Sequence, residues 1–199
     1  LQLEIVNQLS SLQLIKDLGW FDAIAKNVSI PYMLLAYPLS LIFPDFVALK
    51  VVNLLLLVLL FVYFNYDRKT KSKSMNYYLF FFISTVGYFY FGTNDCLFFV
   101  SLIVFFNEVN NVTIDKEVKY NLALSALIIA FFTRELFIVY CPIVCIGIYI
   151  LYKKGCRFSK NSIFPLGILI FLLLLNIPSI QKNGRLSFDK KSPPEGYSV

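Results

Sequence analysis

The sequence predicts an all-α integral membrane protein: a multispan helical bundle of about six transmembrane helices with short outer hairpin turns, preceded by an N-terminal interfacial amphipathic helix. Three observations carry that prediction. Hydrophobic residues make up 58% of the 199 positions and aromatic residues 18%, and mean hydropathy is +0.71, well above an ordinary soluble domain. Apolar runs long enough to cross a hydrocarbon core recur along the chain. The basic residues behind the net charge of +6 sit mostly in short loops beside those runs, as positive-inside topology places them, which leaves no nucleic-acid footprint.

The first segment, "LQLEIVNQLSSLQLIKDL", repeats Ile5, Leu9, Leu12 and Ile15 at helical spacing, so it reads as an amphipathic helix lying in the membrane interface or on a protein surface. It has no basic stretch leading into an apolar one, as a signal peptide would. Because the chain opens on Leu1 and not Met, and stops at "SPPEGYSV" just after a polar segment has begun, it reads as a piece of a longer protein. The next stretch, "GWFDAIAKNVSIPYMLLAYPLSLIFPD", is punctuated by Pro31, Pro38 and Pro44. Any helix there is short or kinked, within a loop carrying re-entrant or interfacial pieces. Residues 1–45 thus form an outer interfacial helix and loop, 46–178 the transmembrane bundle, and 179–199 the start of an outer polar segment.

Within the bundle, "FVALKVVNLLLLVLLFVYF" at 46–64 is long enough to span, and "NYDRKTKSKSMN" after it marks the cytoplasmic side. A second basic loop, "KKGCRFSKN", belongs on that same side. Between the loops lie two apolar stretches, 77–106 and 120–152, each of which would measure about 45 to 50 Å as one straight helix. Each is interrupted near its middle, by "GTND" at 92–95 and "TRE" at 133–135. If the chain folds back there, Asp95, Arg134 and Glu135 emerge at the non-cytoplasmic face and escape the cost of burial in lipid. Two long tilted helices are the rival, and the loop "NEVNNVTIDKEVK", with Lys116 and Lys119 against three acids, does not separate the two by charge. A last span, "IFPLGILIFLLLLNI" at 163–177, returns the chain to the outer face.

Chemistry-bearing residues are few. Histidine is absent, so no His base or His-ligated metal arises here, and the four cysteines lie in or beside apolar segments, where packing is their usual role. Asp95, Arg134 and Glu135 remain as candidates, with a helix cap or a local ion pair as the plainer readings of each. Lys182 and Arg185 read either as steering residues for a polyanionic lipid or as a solvated basic tail.

The order "EIVNQL…GWF…AKNVSIPYMLLAYPLSLIFPDFVALKVVNLLLLVLLFVYF", a basic loop, then turns at "FGTNDCLFFVSLIVFF" and "FFTRELFIVYCPIV", resembles the C-type glycosyltransferase superfamily, in particular the protein O-mannosyltransferases and lipid A aminoarabinose transferases. Lys26, Pro31, Tyr32, Pro38, Leu39 and Pro44 stand where those enzymes carry a Lys-Pro-Pro element, aromatics and later prolines, and Asp95 stands where they have an acidic residue between the third and fourth spans. Lys50 stands in place of a common Arg, the Lys-Pro-Pro element is loosened to "KNVSIPY", and the acidic pair of the first outer loop would lie upstream of Leu1. The resemblance implies transfer of a sugar from a polyprenyl-phosphate donor at the outer face of a multi-pass protein of the bacterial inner membrane, with membrane lipids around it. Asp95 would be the catalytic carboxylate, orienting the acceptor or holding a divalent ion. Arg134, Glu135, Lys26 and Tyr32 would bind substrate. The cofactor is left open, a divalent metal being one option. Two other classes fit the composition: a polysaccharide polymerase or ligase of the O-antigen type, and a non-enzymatic transporter or membrane scaffold.

Overall fold

The computed structural model describes residues 2–26, 28–66, 93–111, 117–134, 137–153 and 163–187. Among them every regular element is helical: α1 (Gln2–Leu18), α2 (Trp20–Ile24), α3 (Ile30–Ser40), α4 (Asp45–Tyr66), α5 (Asp95–Asn111), α6 (Glu117–Thr133), α7 (Phe137–Lys153) and α8 (Ile163–Asn183).

The two helix ends that close on glycine show why those residues stand there. Gly19 has φ of +81° and follows α1, its N–H reaching Ile15 O at 3.0 Å, while Gly184 has φ of +66° and follows α8, its N–H reaching Ile180 O at 2.9 Å. Left-handed backbone at the residue after a helix satisfies orphan carbonyls and excludes a side chain at low cost only for glycine.

Helix directions follow from who touches whom. Asn53 and Tyr63 on α4 meet Thr93 and Asn107 in turn, so α4 and α5 are parallel. Asn94 reaches the far end of α6 at Thr133, which makes α5 and α6 antiparallel. Tyr140 packs on Phe98 with ring centroids 5.6 Å apart, and a Cβ at Gly147 would come within 2.9 Å of the Phe105 ring, so α7 runs with α5. The chain therefore reverses between Thr133 and Phe137, at the polar interruption, and 120–152 is not one long helix. The flanks of the two basic loops, Tyr66 on one side and Lys153 and Ile163 on the other, come to the same end of the bundle, while the loops themselves lie outside the described residues. Tyr66 and Thr93 lie at opposite ends; residues 77–92, the first arm of the other expected hairpin, also lie outside the described residues.

Three packed clusters hold the elements. One joins α1, α3, α4 and α5 through Leu12, Tyr32, Met33, Leu49, Val52 and Val100. A second seats Phe98 and Phe105 of α5 against Ala123, Ala126 and Ala130 of α6 and Val144 of α7; small residues on one helix let the neighbouring backbone approach closely. A third ties Ile24 and Ile30 to Phe132 and Leu172, and so binds α8 to α6.

The structure adds packing to the N-terminal region and corrects one loop boundary. The proline-rich stretch forms short helices, and α3 is buried against its neighbours: Tyr32, Met33 and Ala36 are fully covered. Pro31 is tolerated because it falls in the first turn, where its missing N–H has no intrahelical partner anyway. The amphipathic helix α1 packs on α3 and α4 through Leu12 and Ile15, with its Lys16 paired to Asp45 at the start of α4. Finally, Asn107 and Glu108 belong to a helix and not to a loop, because α5 continues to Asn111.

Among the described residues two helices are long and apolar enough to cross a membrane, Asp45–Phe64 and Ile163–Asn183. Only 33% and 22% of their apolar windows are covered by protein. Helices α6 and α7 are apolar but shorter, 17 residues each.

Candidate functional site

The site grows from two helix ends that meet. Thr133 is the last residue of α6, and its carbonyl has lost the intrahelical donor that an interior residue would have. Two side chains replace that donor: Ser29 Oγ at 3.0 Å and Asn94 Nδ2 at 3.4 Å. Ser29, at the start of α3, thus spends its hydroxyl on α6 and makes no cap bond to its own helix.

Arg134 follows Thr133 and is fixed from the same direction. Its Nη1 donates to Asn94 Oδ1 at 3.2 Å and lies 2.9 Å from Asp95 Oδ1. Asp95 opens α5, where a carboxylate also faces the positive end of the helix dipole. The side chains are 13% and 6% exposed respectively, so the pair is enclosed.

That enclosure corrects the expectation that folding back would release these charges to the surface. The chain does turn after Thr133, and there Ser29 reaches the Thr133 carbonyl while Ile24, Ile30 and Leu172 pack against Phe132. The charges are affordable there because each neutralises the other and the amide of Asn94 completes the shell; an unpaired buried charge would be far more costly.

Behind the pair lies a layer of neutral polar groups. Tyr32 OH sits 2.9 Å from Asn53 Oδ1 and 3.3 Å from Leu49 O, and Asn53 Nδ2 donates to Thr93 O at 3.3 Å. Tyr32 therefore enters the layer through Asn53. Thr93 is fully buried, and its hydroxyl has no hydrogen-bond partner among the described residues. A group of that kind is a donor and acceptor available to something further.

Of the five residues singled out from sequence, the structure brings Asp95 and Arg134 into contact and sets Tyr32 in the same layer. Lys26 is elsewhere: it lies in the turn after α2, its side chain exposed and without an ion pair to a described residue. Glu135 lies outside the described residues. Sequence reasoning missed Asn53 and Asn94. The signal for Asn53 was present, since a lone amide in "VVNLLLLVLL" is costly unless it is hydrogen-bonded.

The donor set does not suit a divalent ion. Asp95 is the one carboxylate in this layer among the described residues, and the Arg134 guanidinium already occupies the cation position against it. No step is derived through a metal.

A second polar cluster occupies the other end of α5. Asn107 Nδ2 donates to Tyr63 OH at 2.6 Å, and Tyr63 OH in turn donates to Glu108 Oε1. Asn107 and Glu108 are 3% and 1% exposed.

Compared with known proteins, the chain matches no protein-family model, no curated protein and no solved structure.

Proposed function

We propose that this chain is the membrane part of a glycosyltransferase that moves a sugar from a polyprenyl-phosphate donor to an acceptor at the outer face of the bacterial inner membrane. The observation that carries the reading is the Asp95–Arg134 pair, 2.9 Å apart and enclosed at the bundle end remote from the basic-loop flanks. The order of segments that resembles the C-type glycosyltransferases supports it, as does the outward apolar surface of α4 and α8, with Leu59, Phe61 and Phe164 all more than 60% exposed. Exposed apolar side chains of that extent need lipid or protein cover. Six crossings, the full bundle, require 77–92 to return the chain across the membrane.

The chemistry follows from exchanging partners. Arg134 offers a planar fork that fits a phosphate as well as a carboxylate. When the donor phosphate takes the guanidinium, Asp95 is freed to accept a hydrogen bond from the acceptor hydroxyl and orient its oxygen toward the anomeric carbon. The new C–O bond forms as the bond to phosphate breaks, the acceptor proton passes to the Asp95 carboxylate, and Arg134 stabilises the charge left on polyprenyl phosphate. Tyr32 and Asn53 hold the turn that presents both groups.

The test is transfer by the full-length protein in lipid nanodiscs, with a panel of polyprenyl-phosphate sugars. Asp95→Asn and Arg134→Ala are each expected to lower turnover about a hundredfold or more. Undiminished transfer by either variant overturns the assignment.

One observation favours a second reading, a non-enzymatic membrane scaffold: the two charges pair with each other, and Asn94 bonds both Arg134 and the Thr133 carbonyl. Under that reading the exchanged pair Asp95→Arg with Arg134→Asp restores thermal stability, and no lipid-linked sugar is ever consumed.

A further inference from the structure

We propose that the edge formed by the α2–α3 junction and the end of α8 docks the phosphate of an anionic glycerophospholipid, through Lys26, Lys182 and Arg185. Lys26 is remote in sequence from Lys182 and Arg185, and a built junction brings their segments together. Asn183 Nδ2 donates to Ala25 O at 2.8 Å, which sets Lys26 and Lys182 beside a direct contact between their chain neighbours. Ser187 then fastens the other side. Its hydroxyl accepts from Val28 N at 2.8 Å and lies within 3.0 Å of both Ile24 O and Val28 O, while its own N–H donates to Asn176 Oδ1 at 2.8 Å. Ser179 Oγ, donating to Arg185 O at 3.0 Å, holds the backbone of Arg185 against α8.

The backbone here is rigidly anchored, yet the cationic side chains are not consumed by it. Lys26, Lys182 and Arg185 are exposed and form no ion pair with a described residue, in contrast to Lys16, which is paired with Asp45. Asp22, on α2, is the acid nearest in sequence to Lys26 and is likewise unpaired among the described residues. It offsets part of the charge and leaves a net positive edge.

The position of that edge selects the ligand. Along α8 the exposed surface is apolar through Leu174, Ile177 and Ile180 and becomes basic at Lys182. Phe21, on the neighbouring α2, is 67% exposed. An apolar face that gives way within one turn to cations, beside an exposed aromatic ring, is what a protein presents at the level of lipid headgroups. A soluble anion would find the cations but have no use for the apolar face beneath them. The inference does not need sugar transfer and holds for an enzyme or a scaffold.

The experiment is a titration of the full-length protein, delipidated in neutral detergent, with phosphatidylglycerol, phosphatidylcholine and inorganic phosphate as separate probes. Wild type is expected to bind phosphatidylglycerol in preference to phosphatidylcholine. The combined Lys26→Gln, Lys182→Gln and Arg185→Gln variant should lose about a hundredfold in phosphatidylglycerol affinity, and each single variant several-fold, while Lys153→Gln at the other end of the bundle loses none. The single variants serve as the test if the combined one does not fold. Equal affinity for both lipids, or unchanged affinity in the variants, overturns the proposal. So does full displacement by inorganic phosphate at the same concentration, which would identify a site for free phosphate.

Discussion

The two ends of α5 solve the same problem differently. At its start, Asp95 is held by the guanidinium of Arg134 from the far end of α6, with Asn94 beside them. Near its finish, Glu108 is held by the phenol of Tyr63 from α4, which Asn107 also engages. Both carboxylates are almost fully covered. A carboxylate matched by a fixed cation depends on that partner keeping its charge. One that accepts from a phenol keeps its hydrogen bond when it is made neutral. Under the proposed transfer the first arrangement exchanges its anion for a phosphate, whereas the second is suited to fixing the register of two parallel helices.

The largest effect expected from breaking this comparison is at Arg134. Asp95→Ala leaves the guanidinium buried without its carboxylate, and should cost about 3 to 5 kcal/mol in thermal unfolding of the protein in nanodiscs. Midway along α5, Gly147→Ala drives a methyl group to 2.9 Å from the Phe105 ring. It should cost about 1 to 3 kcal/mol by forcing α7 away from α5, and a smaller cost would show that the ring swings aside. At the Glu108 end, Tyr63→Phe removes the donor between two buried polar side chains and should cost about 1 to 2 kcal/mol. The mildest change is Glu108→Gln, whose amide oxygen still accepts from Tyr63; a loss below about 1 kcal/mol is expected. A loss at Glu108→Gln equal to that at Asp95→Ala would erase the distinction between the ends.

The contrast also shows what a sequence displays and what it conceals. The apolar runs at 46–64 and 163–177 fall within α4 and α8, because length and hydropathy are local properties that the bilayer rewards directly. The break before Phe137 was visible because "TRE" interrupts an apolar run. Two helices, however, lengthened beyond their apolar cores: α8 runs on to Asn183, and α5 to Asn111. Asn107 and Glu108 looked like loop residues because their partner, Tyr63, is remote in sequence and at the end of another helix. The cover over Asp95 and Arg134 was hidden for the same reason. Nothing local in "KNVSIPY" reveals that Ser29 will reach Thr133, or that Ser187 will fasten the preceding turn. Lys26 is the converse case, since its place in the resemblance suggested the site and tertiary packing put it on the rim.

The most direct test is a double-mutant cycle on Asp95→Asn and Arg134→Gln, read in the same nanodiscs by thermal unfolding and by transfer from the polyprenyl-phosphate panel. The pair predicts a coupling of about 2 kcal/mol or more between the two positions, with transfer lost in both single variants and not recovered in the double. Additive stability losses would show that the two groups do not meet, and full transfer by Asp95→Asn would remove the carboxylate from the chemistry.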